Sequence, residues 1–328
     1  LIDKSRELPV DGFVFRVFDD AGAQLMWEMW GDKKFEWDQF QQARCDLKQL
    51  KKSFPKQLYL RLNVSPGKID WFDDQQWKVV LHNVRIGARL AELGGCRGIM
   101  FDSEQYVKQL FNHTHQARKD NCSQAQYQQR LTQCGCEFMQ VLQQEISSSE
   151  IILTFGYYTA QPGIGDGRPD FDYQLLAGFL DGMRMQAKAT TRIIDGWEYS
   201  YDYKTQEQFQ AARSDLIQAI SKVSTFTSCA LNSDFQPKSL PADYHMGFGL
   251  WLDYYQKRKP WNVSQFDENF FTPEAFETSL NLAMEQTDEI VWIYSGEPNW
   301  WTGDKFPQAY RDAIQRSYAR KNTPLKAK

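Results

Sequence analysis

Histidine is scarce in this chain: four residues, His82, His113, His115 and His245, among 328. That is little material for a metal hydrolase. The one pair at ligand-like spacing, His113-Thr-His115, falls in a polar loop rather than on a strand, so neither a metal nor a cofactor is expected. Cysteine is nearly as sparse, with six residues. No C-x-x-C pair occurs, which removes the ligands of a zinc ribbon and the motif of a thioredoxin-type site. Cys122, Cys134 and Cys136 are close enough in sequence to include one disulfide, but Cys134 and Cys136 point different ways on a helix and do not suit each other. No charge of one sign dominates: 38 Lys and Arg stand against 42 Asp and Glu, a net −4. This gives no electrostatic basis for binding nucleic acid or an anionic membrane. No apolar run approaches the ~20 residues that span a bilayer. Gly163-Ile-Gly165-Asp-Gly167 follows a strand without opening a helix, and Pro169 interrupts it, so a phosphate cradle is not expected. No G-x-S-x-G is present, and with it goes a nucleophile-elbow esterase.

Aromatic residues, by contrast, are plentiful: 11 Trp, 15 Tyr and 22 Phe. Apolar runs of strand length alternate with helical patterns along the whole chain. Strands are expected at 11–17, 58–64, 98–104, 151–157, 191–199, 245–252 and 289–294. Helices are expected at 38–53, from Asp73 or Asp74 to a stop at Gly94-Gly95, at 123–146, at 171–187, from a Thr205/Gln208 capping box to about 224, from Thr272-Pro273, and at 306–319 with a frayed basic tail 320–328. Residues 159–170 are rich in Gly and Pro and form a loop over the strand ends. Alternating strand and helix implies a parallel sheet. The expected fold is an α/β (β/α)8 TIM barrel in a single catalytic domain, 1–328, with no internal repeat or linker. Seven strands are one short. The helix-like residues 1–8 precede the first of them, so either a first strand lies upstream of Leu1 or the barrel is incomplete, and the focal strand 98–104 counts as the fourth.

That strand runs Gly98-Ile-Met-Phe-Asp-Ser-Glu104, apolar until it meets two carboxylates. At strand spacing, Asp102 and Glu104 share one face. Other strand ends read alike. The fifth closes on Tyr157; the sixth carries Trp197, Glu198, Tyr199, Tyr201 and Asp202; the seventh ends in Asp253; the eighth ends in Glu297, Trp300 and Trp301. Active sites of this fold lie at the carboxyl ends of the strands. Carboxylates for proton transfer beside aromatic faces for sugar rings are the equipment of glycoside hydrolysis.

The focal strand resembles that of the chitinase-type hydrolases, glycoside hydrolase family 18, whose strand four closes with D-x-x-D-x-D-x-E. The final D-x-E is present as Asp102 and Glu104, while the two earlier acidic positions hold Arg97 and Met100. Tyr201-Asp202 looks like that family's strand-six Tyr-Asp pair, and Trp292 like its floor tryptophan. With half the acidic series missing, the resemblance lends no support to substrate-assisted catalysis or to an N-acetyl sugar. The broader likeness is to TIM-barrel glycoside hydrolases, many of which draw their proton donor from strand four.

That likeness makes Glu104 the general acid, with Asp102 sharing its proton and raising its pKa through like charge. Glu198 is the first choice for the partner carboxylate, with Glu297 and Asp253 in reserve. Tyr157, Trp197, Tyr199, Tyr201, Asp202, Asp253, Glu297, Trp300 and Trp301 are expected to bind a carbohydrate substrate. A carbohydrate-binding barrel without turnover is the alternative, and a metal-dependent polysaccharide deacetylase is a more distant one. The glycosylation-type triplets at Asn112, Asn121 and Asn262 suggest a secreted or periplasmic protein. Nothing in the sequence sets an oligomeric state.

Overall fold

The computed structural model describes residues 2–146, 150–168, 170–225, 240–255 and 260–321. Leu1, Pro169 and the tail 322–328, on which some of the expectations above fall, lie outside the described residues. Among the described residues there are eight strands: β1 (Gly12–Phe15), β2 (Gln57–Asn63), β3 (Gly98–Asp102), β4 (Glu150–Leu153), β5 (Arg192–Asp195), β6 (Tyr244–Met246), β7 (Phe248–Trp251) and β8 (Val291–Tyr294). The helices are α1 (Ile2–Glu7), α2 (Leu25–Glu28), α3 (Gln41–Ser53), α4 (Asp74–Gly94), α5 (Gln124–Glu145), α6 (Leu176–Gln186), α7 (Gln206–Val223), α8 (Pro273–Gln286) and α9 (Gln308–Lys321). The expected strand 245–252 divides at Gly247: β6 joins a six-stranded sheet in the order β1-β2-β3-β4-β5-β6, whereas β7 pairs in parallel with β8. Neighbours from β1 to β5 are parallel. The expected strand 191–199 is cut short at Asp195, because Trp197 takes the left-handed conformation at φ 43° and opens a 3-10 turn, Glu198–Asp202.

Local chemistry accounts for the helix ends. Asp73 caps α4 by accepting the amides of Gln75 and Gln76, and Gly95 closes it at φ 68°, a conformation that costs glycine little. Ser123 and Gln126 form a reciprocal capping box on α5. Thr272 caps α8, with Pro273 in its first turn.

The described residues form two compact units, each assembled from separate stretches of chain. The larger holds Gly12–Asp195 and Ser214–His245. On the helix-facing side of its sheet, Phe101 packs against Phe138 (ring centroids 4.9 Å apart), Phe179 (5.9 Å) and Trp30 (6.1 Å), and all four rings are buried. Burying each such ring contributes roughly 1.5–3 kcal/mol. Strand alternation then turns Met100 and Asp102 to the opposite face. The same face of β2 and β4 carries Tyr59, Arg61 and Asn63, and Glu150. The Tyr59 hydroxyl donates to Glu150 at 2.6 Å, and Arg97 and Arg192 pair with the same carboxylate. Burial would raise the pKa of Glu150, but the hydrogen bonds from Arg97 and Tyr59 and the two positive charges hold it below the ordinary range. Arg97, at one of the two positions where the family 18 series has an acid, is with Arg192 a counter-ion of Glu150.

The smaller unit holds Leu1–Asp11, Gly196–Arg213 and Met246–Lys328. Its core gathers Phe209, Phe248, Phe271, Phe276 and Tyr310, whose hydroxyl donates to the Phe271 carbonyl at 2.6 Å. Gly249 on β7 lets Trp292 lie flat across the strand, since a Cβ there would fall 2.6 Å from the indole. All five described cysteines are free thiols, Cys122, Cys134 and Cys136 among them. No helix among the described residues is long and apolar enough to cross a membrane.

Candidate active site

β3 ends at Asp102, and Glu104 lies two residues beyond it. The two acids are therefore not successive positions on one strand face. Asp102 Oδ1 instead turns back to accept the Glu104 amide at 3.0 Å and the Thr154 hydroxyl at 3.2 Å. Its Oδ2 pairs with the Arg61 guanidinium and accepts the Tyr106 hydroxyl at 3.0 Å. Asp102 thus has no exposed surface, and both of its oxygens are engaged by these donors.

Glu104 keeps 21% of its side chain exposed. Burial raises its pKa above the ordinary carboxylate value; the Tyr106 hydroxyl opposes the rise, the Asp102 charge adds to it, Arg168 opposes it and Asp166 adds to it. The expected direction is met, but desolvation leads and like charge follows. Tyr106 is itself held well above its usual range by burial and by the charges of Asp102 and Glu104.

Residues around Glu104 that the motif did not reveal come from β2, from the segment after Asp102 and from the glycine-rich loop. Arg168 Nη2 lies 3.6 Å from Glu104 Oε1 and donates to the Gln105 carbonyl at 3.1 Å. Asp166 pairs with Arg168 and accepts the Tyr173 hydroxyl at 2.7 Å. The Gln105 amide donates to Tyr173 at 2.9 Å, and the Arg168 guanidinium carbon lies over the Phe171 ring, 4.0 Å from the centroid. Trp27, half-buried, meets Tyr106 edge to face at 4.8 Å. Asn63 registers directly beside Asp102, and neither atom of its buried amide finds a hydrogen-bond partner among the described residues.

The remaining expected site residues divide between the two units. In the larger one, Tyr157 is fully buried and its hydroxyl donates to Asp181 at 2.7 Å, so it offers no ring face to a ligand. The others belong to the smaller unit. Trp197 is 1% exposed and is likewise a core ring rather than a platform. Glu198, Tyr199, Tyr201 and Asp202 sit half-buried on the 3-10 turn. Burial raises the Asp202 pKa, against the pull of its own backbone amide, Lys204 and Tyr254. Tyr201 contacts Trp292 (5.4 Å), Trp251 (5.5 Å) and Tyr294 (6.0 Å, stacked), and Trp251 also meets Tyr255 at 4.9 Å. Together these rings make an aromatic wall whose outer members, Tyr255 and Tyr294, are exposed. Asp253 accepts the Trp251 indole N–H and the amides of Gly296 and Glu297, so its carboxylate braces the turn after β8. Glu297 is exposed and paired with Lys305 at 2.7 Å. Trp300 and Trp301 are both half-buried; Trp300 lines a cavity of about 250 Å³ with Leu8, Phe306 and Arg311.

Of the glycosylation-type asparagines, Asn112 is buried and its side chain accepts the Thr114 amide and hydroxyl, which leaves no exposed acceptor there.

No protein-family model matches the chain, and no curated protein sequence matches it. Among solved structures it is similar to active domain 2 of a thermostable chitinase from Pyrococcus furiosus, solved as catalytic-site mutants with chito-oligosaccharides. That likeness has 8% identity, 99% of this chain and 92% of that one covered, and a TM-score of 0.50. A sugar phosphate isomerase/epimerase from Parabacteroides distasonis matches at 8% identity over 97% of this chain and 85% of that one. A trimodular GH5_4 endoglucanase matches at 11% identity over 96% of this chain and 62% of that one. The TM-score is 0.42 for both. At such identity the chitinase likeness speaks to fold alone: the chain is an α/β protein of the (β/α)8 TIM-barrel class.

Proposed function

We propose that the chain is a glycoside hydrolase in which Glu104 is the general acid. The observation that carries this reading is the state of Glu104: a carboxyl just past the carboxyl end of β3, mostly desolvated, with its pKa raised and one edge open. A protonated carboxyl in that position can give its proton to a glycosidic oxygen as the bond to the anomeric carbon breaks. Asp102 serves by holding the Glu104 amide in place. A raised pKa keeps the acid form populated to higher pH than an ordinary carboxylate allows, so the alkaline limb of the rate profile belongs to Glu104. The substrate class is a poly- or oligosaccharide. Glu198 and the aromatic wall of the smaller unit are tested separately, each by its own variant.

The test is Glu104→Gln, assayed on a panel of natural polysaccharides. Turnover falls by about 10²–10⁴-fold while substrate binding persists. Undiminished turnover removes Glu104 from the role. A second reading, a carbohydrate-binding barrel without turnover, draws on the Arg168 contact, because a cation 3.6 Å away favours the ionised form of Glu104. That reading predicts oligosaccharide binding by the wild-type chain with no product from any member of the panel.

A further inference from the structure

We infer that Arg168 is a positioning residue for Glu104: the glycine-rich loop carries a guanidinium fixed against that carboxylate, where its charge favours the ionised form. This inference rests on the proposed role of Glu104 for its consequence in turnover, though not for the contact itself.

Geometry is the first support. Arg168 is not a loosely placed surface cation. Its Nε donates to Asp166 at 2.9 Å, its Nη2 donates to the Gln105 carbonyl at 3.1 Å, and its guanidinium carbon lies over the Phe171 ring, 4.0 Å from the centroid. Asp166 is in turn held by Tyr173, which accepts the Gln105 amide. Gln105 follows Glu104 directly in the chain. The loop is therefore tied to the backbone beside Glu104 at two points, and the 3.6 Å approach of Nη2 to Oε1 is built into that framework.

The second support is the loop's own conformation. Gly163, Gly165 and Gly167 have φ of 76°, 53° and 80°, left-handed values that side chains rarely adopt. A Cβ on Gly165 would lie 2.0 Å from the Phe171 carbonyl. This tight path delivers Asp166 and Arg168 together.

Electrostatics fixes the sign. The charged and titratable groups facing Glu104 are Asp102 and Tyr106 from its own segment and Arg168 and Asp166 from the loop, while Arg61 on β2 pairs with Asp102. Arg168 is the cation that acts directly on Glu104, opposing the rise that burial produces. Removing it frees Asp166 as well, and both changes favour the protonated carboxyl. A cation at this range shifts a carboxyl by about 1 pH unit or more.

The full chain, labelled with ¹³C at the glutamate carboxyls, gives a direct reading. The Glu104 resonance is the one missing from Glu104→Gln, and it is titrated in wild type, Arg168→Gln, Arg168→Met and Arg168→Lys. The expected result is a midpoint about 1 pH unit higher in both neutral variants and near wild type in Arg168→Lys. The alkaline limb of the turnover profile should move by the same amount. A loop residue that only supports the fold would lower the melting temperature and leave the midpoint in place, and an unchanged midpoint in the folded Gln or Met variant overturns the inference. Full turnover in Glu104→Gln alongside a shifted midpoint instead overturns the proton-donor role and leaves the Arg168 contact standing.

Discussion

Two regions of this molecule carry the same kind of sequence, carboxylates beside aromatics, and use it differently. At the end of β3, Asp102 is buried and bound by Arg61, Tyr106, Thr154 and the Glu104 amide, while Glu104 keeps an open edge. At the ends of β7 and β8, Asp253 braces a turn, Glu297 pairs with a surface lysine, and the rings form a half-exposed wall. A carboxylate held by several donors in a desolvated setting can fix another group's geometry and pKa. One spent on backbone amides shapes a loop. The first arrangement suits chemistry and the second suits shaping a surface that a ligand can cover.

The sharpest way to break this contrast is Asp102→Asn. It leaves Arg61 without its counter-ion in a largely buried setting, a loss of about 3 kcal/mol by the usual cost of breaking such a pair. Denaturant unfolding should show it. The neutral side chain should also move the alkaline limb of turnover to lower pH, since the Asp102 charge helps to raise the Glu104 pKa. A variant with wild-type stability and an unmoved limb would mean that Asp102 is not the anchor described here. On the aromatic side, Tyr255 is 50% exposed, so Tyr255→Ala should change stability by no more than about 0.5 kcal/mol. If the wall receives sugar rings, oligosaccharide affinity should drop about fivefold, the value of one aromatic contact. Equal affinity in calorimetry would leave the wall structural. The smallest effect is expected at Asn63. Its amide is buried without a partner among the described residues, so Asn63→Leu should raise the unfolding midpoint, by about 1 kcal/mol at most. A lower midpoint would show that the amide is satisfied in solution.

Much of the framework was legible in the sequence because local chemistry decides it. Asp73 and Gly95 bound α4, Ser123 opens α5 and Thr272 opens α8, as their side chains dictate. The focal acids stood out in the sequence because an apolar run closes on Asp102, with Glu104 two residues beyond. Arg61 left a trace that went unread: in Leu58-Tyr-Leu-Arg-Leu-Asn the polar residues fall at every second position, which gives β2 a polar face opposite its buried leucines. Gly196 likewise marked the break that puts Glu198 on a turn rather than a strand. Arg168 and Asp166 gave no signal. They reach Glu104 through a loop whose path depends on three left-handed glycines and on Tyr173, and no periodicity encodes such a path. The burial of Tyr157 and Trp197 was equally unreadable, because a ring at a strand end has the same letter whether it faces a ligand or Asp181.

The proton-donor role of Glu104 is tested most directly by comparing two substrates on one variant. Glu104→Gln removes the transferable proton and keeps the shape of the side chain. An aryl glycoside with a good leaving group needs little protonation, whereas a natural polysaccharide needs a full proton at the departing oxygen. The expected result is a loss of about 10²–10⁴-fold on the polysaccharide and a far smaller loss on the aryl glycoside. Equal losses on both substrates, or none on the polysaccharide, would contradict the role.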